Sequence, residues 1–303
     1  MTNIDLINSA EQRLSEADVE SARLDAEVLL AHTLGVQRVD LYTGRREEPA
    51  AEAVGRFQDC VRRRAEGCPV AYITGIKEFW SIPIRVTQEV LIPRPETELI
   101  VERSLSIFTS DELKILDLCT GSGCVAAALA KELPGARFVV TDISQAALEM
   151  ARVNLAFAPG RVEFCQGDLF SPLLCKEGQG EVDPRSTPPR PSPYKGEGPV
   201  FDLITANPPY IPTGHRDMLC REITEHEPDI ALYGGKSGLD FMARIIEDAA
   251  AFLKPGGWLV MEMGLGQADK LKAMADECGG YSDAVISKDL AGIERVISLK
   301  KEQ

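Results

Sequence analysis

The chain has 303 residues, 44% of them hydrophobic and 26% charged, proportions that suit a globular protein of about two domains with a proper core. Its formal net charge of −14 argues against a surface built to grip a nucleic-acid backbone, which usually carries a basic surplus. No apolar run approaches the ~20 residues that span a bilayer, and Met1-Thr2-Asn3-Ile4-Asp5 has neither the basic nor the apolar region of a signal peptide, so the expectation is a cytoplasmic protein with no membrane partner.

Residues 4 to about 75 read as a small helical bundle. After Asp18-Val19-Glu20-Ser21, the apolar residues Leu24, Val28, Leu29, Ala31 and Leu34 recur at helical spacing, and Gly35 suits the position just past a helix end. Another helix is expected over Ala51 to Arg64, with Arg62-Arg63-Arg64 on a solvated face beside Asp59 and Glu66. From 78 to 95 apolar and polar residues alternate through Phe79, Trp80, Ile82, Ile84, Val86 and Val90, which predicts a β-hairpin. Pro95, Glu96 and Glu98 then suit the first turn of a helix running to about Phe108.

Beyond Leu113 the pattern alternates strand and helix. Strands are expected at Lys114–Leu118, Arg137–Asp142, Val162–Gln166, Phe201–Ala206 and Trp258–Met263. Helices are expected at Val125–Leu133, Ser144–Asn154, Leu239–Leu253 and Gln267–Cys278. Ala284–Lys288 and Glu294–Leu299 suit a closing antiparallel pair, giving an α/β fold with a mostly parallel seven-stranded sheet covered on both faces. Residues 176–199 interrupt the rhythm with six prolines, from Pro184 to Pro199, and four glycines. Such a composition cannot bury enough surface to offset its ordering entropy, so a disordered insertion is expected there, dispensable for activity. The domain reading is 1–77 helical, 78–95 hairpin linker and 96–303 catalytic.

Asp117-Leu118-Cys119-Thr120-Gly121-Ser122-Gly123 follows a strand and opens a helix. Its glycines let backbone pass close to a ligand, and the helix N-terminus offers free N–H groups. Asp142 ends the next strand, where a carboxylate can accept both hydroxyls of a ribose. Asp168, followed by Leu169, ends the third, where it can accept from an adenine amino group. Gly121-x-Gly123-x-x-Ala126 also fits a dinucleotide fingerprint, so a nicotinamide-dependent oxidoreductase stands as an alternative. Against it, Asp117 beside the loop suits the cationic end of S-adenosylmethionine better than a pyrophosphate. The eight cysteines hold no Cys-x-x-Cys pair and the three histidines are scattered, so no metal site or disulfide framework is expected.

Asn207-Pro208-Pro209-Tyr210 follows the apolar run Val200–Ala206. Two prolines cannot continue a sheet, because each lacks an N–H and has a fixed φ. They force the chain into a stiff loop with an Asn amide at its mouth. An Asn oxygen beside rigid backbone carbonyls can accept from a planar –NH2 group and fix its orientation, which suits methylation of an amide or an exocyclic amine. A strand-ending turn is the bland alternative.

These residues resemble class I methyltransferases that act on amide or exocyclic nitrogens. Further stretches are similar to the release factor glutamine N5-methyltransferases within that class. They are Pro69–Gly75, Glu78–Ser81, Leu91–Glu98, Glu227-Pro228 with Ala231-Leu232, and Lys288–Gly292. The resemblance implies a helical substrate-recognition domain, a hairpin linker and a Rossmann-like catalytic domain. It implies methyl transfer from S-adenosylmethionine to the glutamine of the Gly-Gly-Gln motif in class I peptide release factors, with no direct nucleic-acid partner. Cys119, Thr120, Gly121, Ser122, Gly123 and Asp142 would meet the cofactor, joined by Asp117, Asp168, Leu169 and Asn207. Asn207, Pro208, Pro209 and Tyr210 would hold the glutamine, with Asn207, Pro208 and Tyr210 catalytic. Cys119 stands where the family usually has Gly. A ribosomal-protein glutamine, adenine N6 in nucleic acid, and a non-catalytic cofactor-binding adaptor remain as alternatives.

Overall fold

The computed structural model describes residues 1–43, 48–108, 110, 112–174 and 200–303, so the expected insertion at 176–199 lies outside the described residues. The chain forms two compact units. One comprises Met1–Ile76, Val86–Gln88 and Leu219–Glu227; the other comprises Lys77–Arg85, Glu89–Met218 and Pro228–Gln303.

The first unit is helical, with helices Asn3–Glu16, Ala22–Leu34, Asp40–Thr43, Ala51–Ala65 and Val70–Thr74. Thr2 and Asp5 cap the first reciprocally: Thr2 Oγ1 accepts from Asp5 N, and the Asp5 carboxylate accepts from Thr2 N, which satisfies two otherwise free donors. Gly35, with φ +68°, ends the second helix as expected. The face that helix buries is Ala22, Ala26, Leu29 and Leu30, whereas Leu24 is 45% exposed. Packing against the first and fourth helices, rather than the spacing counted from Leu24, sets that face. A second correction concerns Arg62–Arg64. Arg62 lies on the solvated face with Asp59 and Glu66, but Arg64 is buried. Its Nε donates to Asp25 at 2.6 Å and its Nη2 to Glu222 at 2.7 Å. Guanidinium burial demands such pairing, and the short helix Arg221–His226 brings Glu222 to this unit from far along the chain.

In the hairpin β1 (Ile76–Phe79) and β2 (Ile82–Arg85) are joined at Trp80 and Ser81, both with positive φ. The extended piece stops at Arg85 rather than 95; Val86, Val90 and Ile92 are buried outside any strand. Phe79 is core at 1% exposure, while Trp80 is half-buried and donates its indole N–H to Glu132 at 2.9 Å. Glu98 Oε1 accepts the Trp80 backbone N–H at 2.7 Å.

The sheet has seven strands: β3 (Lys114–Leu118), β4 (Arg137–Asp142), β5 (Val162–Gln166), β6 (Phe201–Ala206), β7 (Leu253–Glu262), β8 (Tyr281–Lys288) and β9 (Glu294–Lys301). Their order is β5-β4-β3-β6-β7-β9-β8. The first five are parallel, and β9 pairs antiparallel with both β7 and β8. Strand β7 begins five residues before the expected Trp258, and its pairing with β6 shifts register between Phe201 and Leu203, a bulge near Gly256 with φ +74°. Leu116, Leu118, Ile204, Leu259 and Met261 form the sheet's buried centre. From β3 the chain moves to β4 on one side, and β6 lies on the other, so the topological switch falls between β3 and β6. Leu118 stands opposite Ala206 there, and the next residues, Cys119 and Asn207, leave the sheet side by side.

Candidate active site

A cleft opens at this switch point. Its lining includes Asp117, Cys119, Thr120, Gly121, Ser122, Asp142, Asp168, Leu169, Asn207 and Pro209. Three of the anticipated residues do not line it: Gly123, Pro208 and Tyr210. Gly123 instead lets two helices meet. A Cβ there would stand 3.0 Å from Ala151 Cβ, and its φ is +77°, so glycine serves packing at this position.

The glycine loop is fixed from below. Asp117 is buried, its Oδ2 accepting from Thr120 Oγ1 and its Oδ1 from Thr205 Oγ1, both at 2.6 Å. Burial pushes its carboxyl up to about 6, against the pull of the two hydroxyls. Asp142 Oδ2 accepts from Gly121 N at 2.8 Å and Oδ1 from Ser144 N at 2.9 Å. Burial raises this carboxyl too, opposed by those backbone N–H groups. Asp168 is engaged by Arg244, whose guanidinium donates to both carboxylate oxygens at 3.3 and 2.7 Å. Cys119 has φ +53°, the left-handed region in which an L side chain is strained. Its thiol is pushed well up by burial and by Asp142, Asp117 and Asp168, so it is no nucleophile.

The Asn207 loop is clasped tightly. Ile211 N donates to Leu232 O at 3.0 Å, Gly234 N to Ile211 O at 2.9 Å, and Gln267 Nε2 to Tyr210 O at 3.0 Å. Any Cβ on Gly234 would come within 2.3 Å of Pro209 O, and on Gly238 within 2.2 Å of Tyr210 O, so these glycines allow backbone to lie directly against the loop. Asn207 Nδ2 donates to Thr97 Oγ1 at 3.2 Å. Tyr210 turns away from the cleft and donates its hydroxyl to Glu262 Oε1 at 3.0 Å. Glu262 is 1% exposed. Burial pushes its carboxyl up, partly offset by the hydroxyls of Thr97 and Tyr210.

The donor set discriminates between cofactors. Glu89, Asp117, Asp142 and Asp168 line the cleft with Arg94 as the one basic side chain among its described lining residues. A pyrophosphate would meet this mainly acidic lining, even with Asp168 neutralised by Arg244, whereas the sulfonium and ammonium of S-adenosylmethionine are complementary to it. Ile143, Leu169 and Phe241 supply apolar walls for a flat ring. Among the described residues no cluster of His, Cys, Asp and Glu could hold a metal, and no helix is long and apolar enough to cross a membrane.

A mostly parallel sheet, with a glycine loop and an Asn-Pro-Pro-Tyr loop adjacent at its switch point, defines a class I S-adenosylmethionine-dependent methyltransferase. Residues 5–75 match the model of the PrmC N-terminal domain, and residues 115–182 that of a methyltransferase domain. The release factor glutamine methyltransferase of Rhodopirellula baltica is 40% identical over 93% of this chain and 90% of its own length. That of Koribacter versatilis is 36% identical over 99% of both. This chain belongs to the release factor glutamine methyltransferase family. The hMettl16 catalytic domain, solved in complex with MAT2A 3′UTR hairpin 1, shares the fold at 14% identity, with a TM-score of 0.53 over 86% of this chain and 87% of that one.

Proposed function

We propose that this enzyme methylates the side-chain nitrogen, N5, of the glutamine in the Gly-Gly-Gln motif of class I peptide release factors. The observation that carries the reading is Asn207. Its Nδ2 is held by Thr97, so Oδ1 is left to accept from a substrate –NH2 group at the edge of the cleft.

Asn207 Oδ1 accepts an N–H bond of the glutamine amide; the Pro208 carbonyl, expected to accept the second, belongs to a residue that does not line the cleft. The Asn207 bond holds the amide nitrogen in one orientation and raises its electron density. S-adenosylmethionine would be held through Asp142 and the backbone of residues 119–122, and would supply an electrophilic methyl group. Tyr210 keeps the loop in place from beneath through Glu262. No side chain need act as base before transfer, since the methylated nitrogen is acidic and releases its proton to solvent.

The helical unit is the part we assign to release factor recognition, and the cytoplasm is where such a substrate resides. Adenine N6 is the second reading, favoured by the shared Asn-Pro-Pro-Tyr loop. Four carboxylates and one Arg on the cleft speak against a phosphate backbone there. Incubation with methyl-labelled S-adenosylmethionine and, separately, a release factor, a ribosomal protein and an adenine-containing oligonucleotide tests the assignment. Label in the release factor is the expected result; label in the oligonucleotide alone would overturn it.

A further inference from the structure

Two buried residues beneath Asn207, which the reading above uses only as supports, also bear on the direction of the Asn207 amide. Thr97 and Glu262 are each 1% exposed, and they lie on opposite sides of the chain's order, one opening the helix Glu98–Ile107 and the other ending β7. Thr97 Oγ1 accepts from Asn207 Nδ2 at 3.2 Å. Glu262 Oε1 accepts from the Tyr210 hydroxyl at 3.0 Å, and its Oε2 is buried with no hydrogen-bond partner. Asn207 and Tyr210, the two ends of the tetrapeptide, are therefore each tied to one member of the pair.

We propose that Thr97 and Glu262 are positioning residues that select which end of the Asn207 amide faces the substrate. The inference rests on the glutamine-binding reading above. A carboxylate can only accept, and a hydroxyl carries one proton. With Glu262 as an acceptor, the Tyr210 hydroxyl proton is committed to Oε1. The Thr97 hydroxyl, near enough to lower the Glu262 carboxyl, has the unfilled Oε2 as the place for its proton. The Thr97 lone pair is then free for the Asn207 –NH2, which leaves Oδ1 toward the cleft. Reversing the amide would require the Thr97 proton to turn to Asn207 and abandon the carboxylate. It would also present one –NH2 to another –NH2, donor against donor. A flip that is free in an isolated Asn is thus biased by Thr97 at the cleft wall and, through it, by Glu262, which does not line the cleft.

The test uses the full chain with a release factor substrate and calorimetric binding of S-adenosylmethionine. Thr97→Val keeps the shape and removes the acceptor, so kcat should fall about tenfold, with cofactor affinity changed by less than about twofold. Thr97→Ser should restore kcat to within about threefold, because the hydroxyl is all the argument needs. Glu262→Gln turns a donor toward the Thr97 oxygen and should lower kcat comparably. Normal kcat in Thr97→Val and Glu262→Gln, with Asn207→Ala inactive, would overturn the inference alone. Equal losses of kcat and cofactor affinity in both would also overturn it, as a merely structural effect. Near-normal turnover in Asn207→Ala would overturn the underlying reading instead.

Discussion

Thr205 Oγ1 donates to Asp117 Oδ1 across 2.6 Å, joining the two strands from whose ends the glycine loop and the Asn207 loop emerge. The two residues are direct partners in the β3–β6 register. The bond therefore follows from strand pairing, and the same carboxyl accepts Thr120 within the glycine loop. One buried acid thus fixes both walls of the cleft relative to the sheet.

Holding that acid has a pH signature. Its folded value is raised from 3.8 to about 6, so the folded state binds the proton more tightly than the unfolded chain. The stabilisation is complete below about 3.8 and is lost as pH rises through about 6. At 1.36 kcal/mol per pH unit the difference is of the order of 3 kcal/mol. Without cofactor, Tm of the wild type should fall from pH 4 to pH 7 relative to Asp117→Asn, as followed by thermal melts. Parallel curves for the two proteins would remove Asp117 from this role.

Asp142 and Asp168 should not contribute equally to cofactor binding. Asp142 accepts from Gly121 N in the glycine loop and from Ser144 N in its own turn, and so orders the loop, while both oxygens of Asp168 are already taken by Arg244. Asp142→Ala should weaken S-adenosylmethionine binding about tenfold or more, and Asp168→Ala by less than about threefold. Calorimetric titration of the two variants gives the comparison directly.

Cys119 carries a conformational cost. At φ +53° a side chain is strained by about 1–2 kcal/mol, from which the extra unfolded-state freedom of glycine takes back roughly half. Cys119→Gly should raise stability by about 0.5–1 kcal/mol without loosening the cofactor. Urea denaturation midpoints test this, and a lowered midpoint would mean that the thiol's packing outweighs the strain.

Strands β3, β4 and β6 lie where their short apolar runs place them, because strands buried on both faces read as continuous hydrophobic stretches. The edge strand β5, with no fully buried residue, was read from the strand–helix alternation around it. The hairpin was legible as an element but not in its end, since Val86 and Val90 are buried outside any strand. Asn207 and the glycine loop were visible because their local chemistry is peculiar. Thr97 and Glu262 were not, because their meaning comes from contacts across 110 and 52 residues with Asn207 and Tyr210. A carboxylate closing a core strand, as Asp142 closes β4, was the available signal for Glu262. Gly123 shows the reverse case: a motif glycine whose requirement is helix packing against Ala151 rather than ligand approach.

The central claim is that Asn207 presents a glutamine amide of a release factor for methylation. Mass spectrometry of a class I release factor, after incubation with this protein and S-adenosylmethionine, tests it most directly. The account predicts one added methyl on the glutamine of the Gly-Gly-Gln motif, and none with Asn207→Ala although that variant still binds cofactor. An unmodified glutamine in the presence of cofactor-bound wild-type protein, or a methyl placed on another residue, would contradict it.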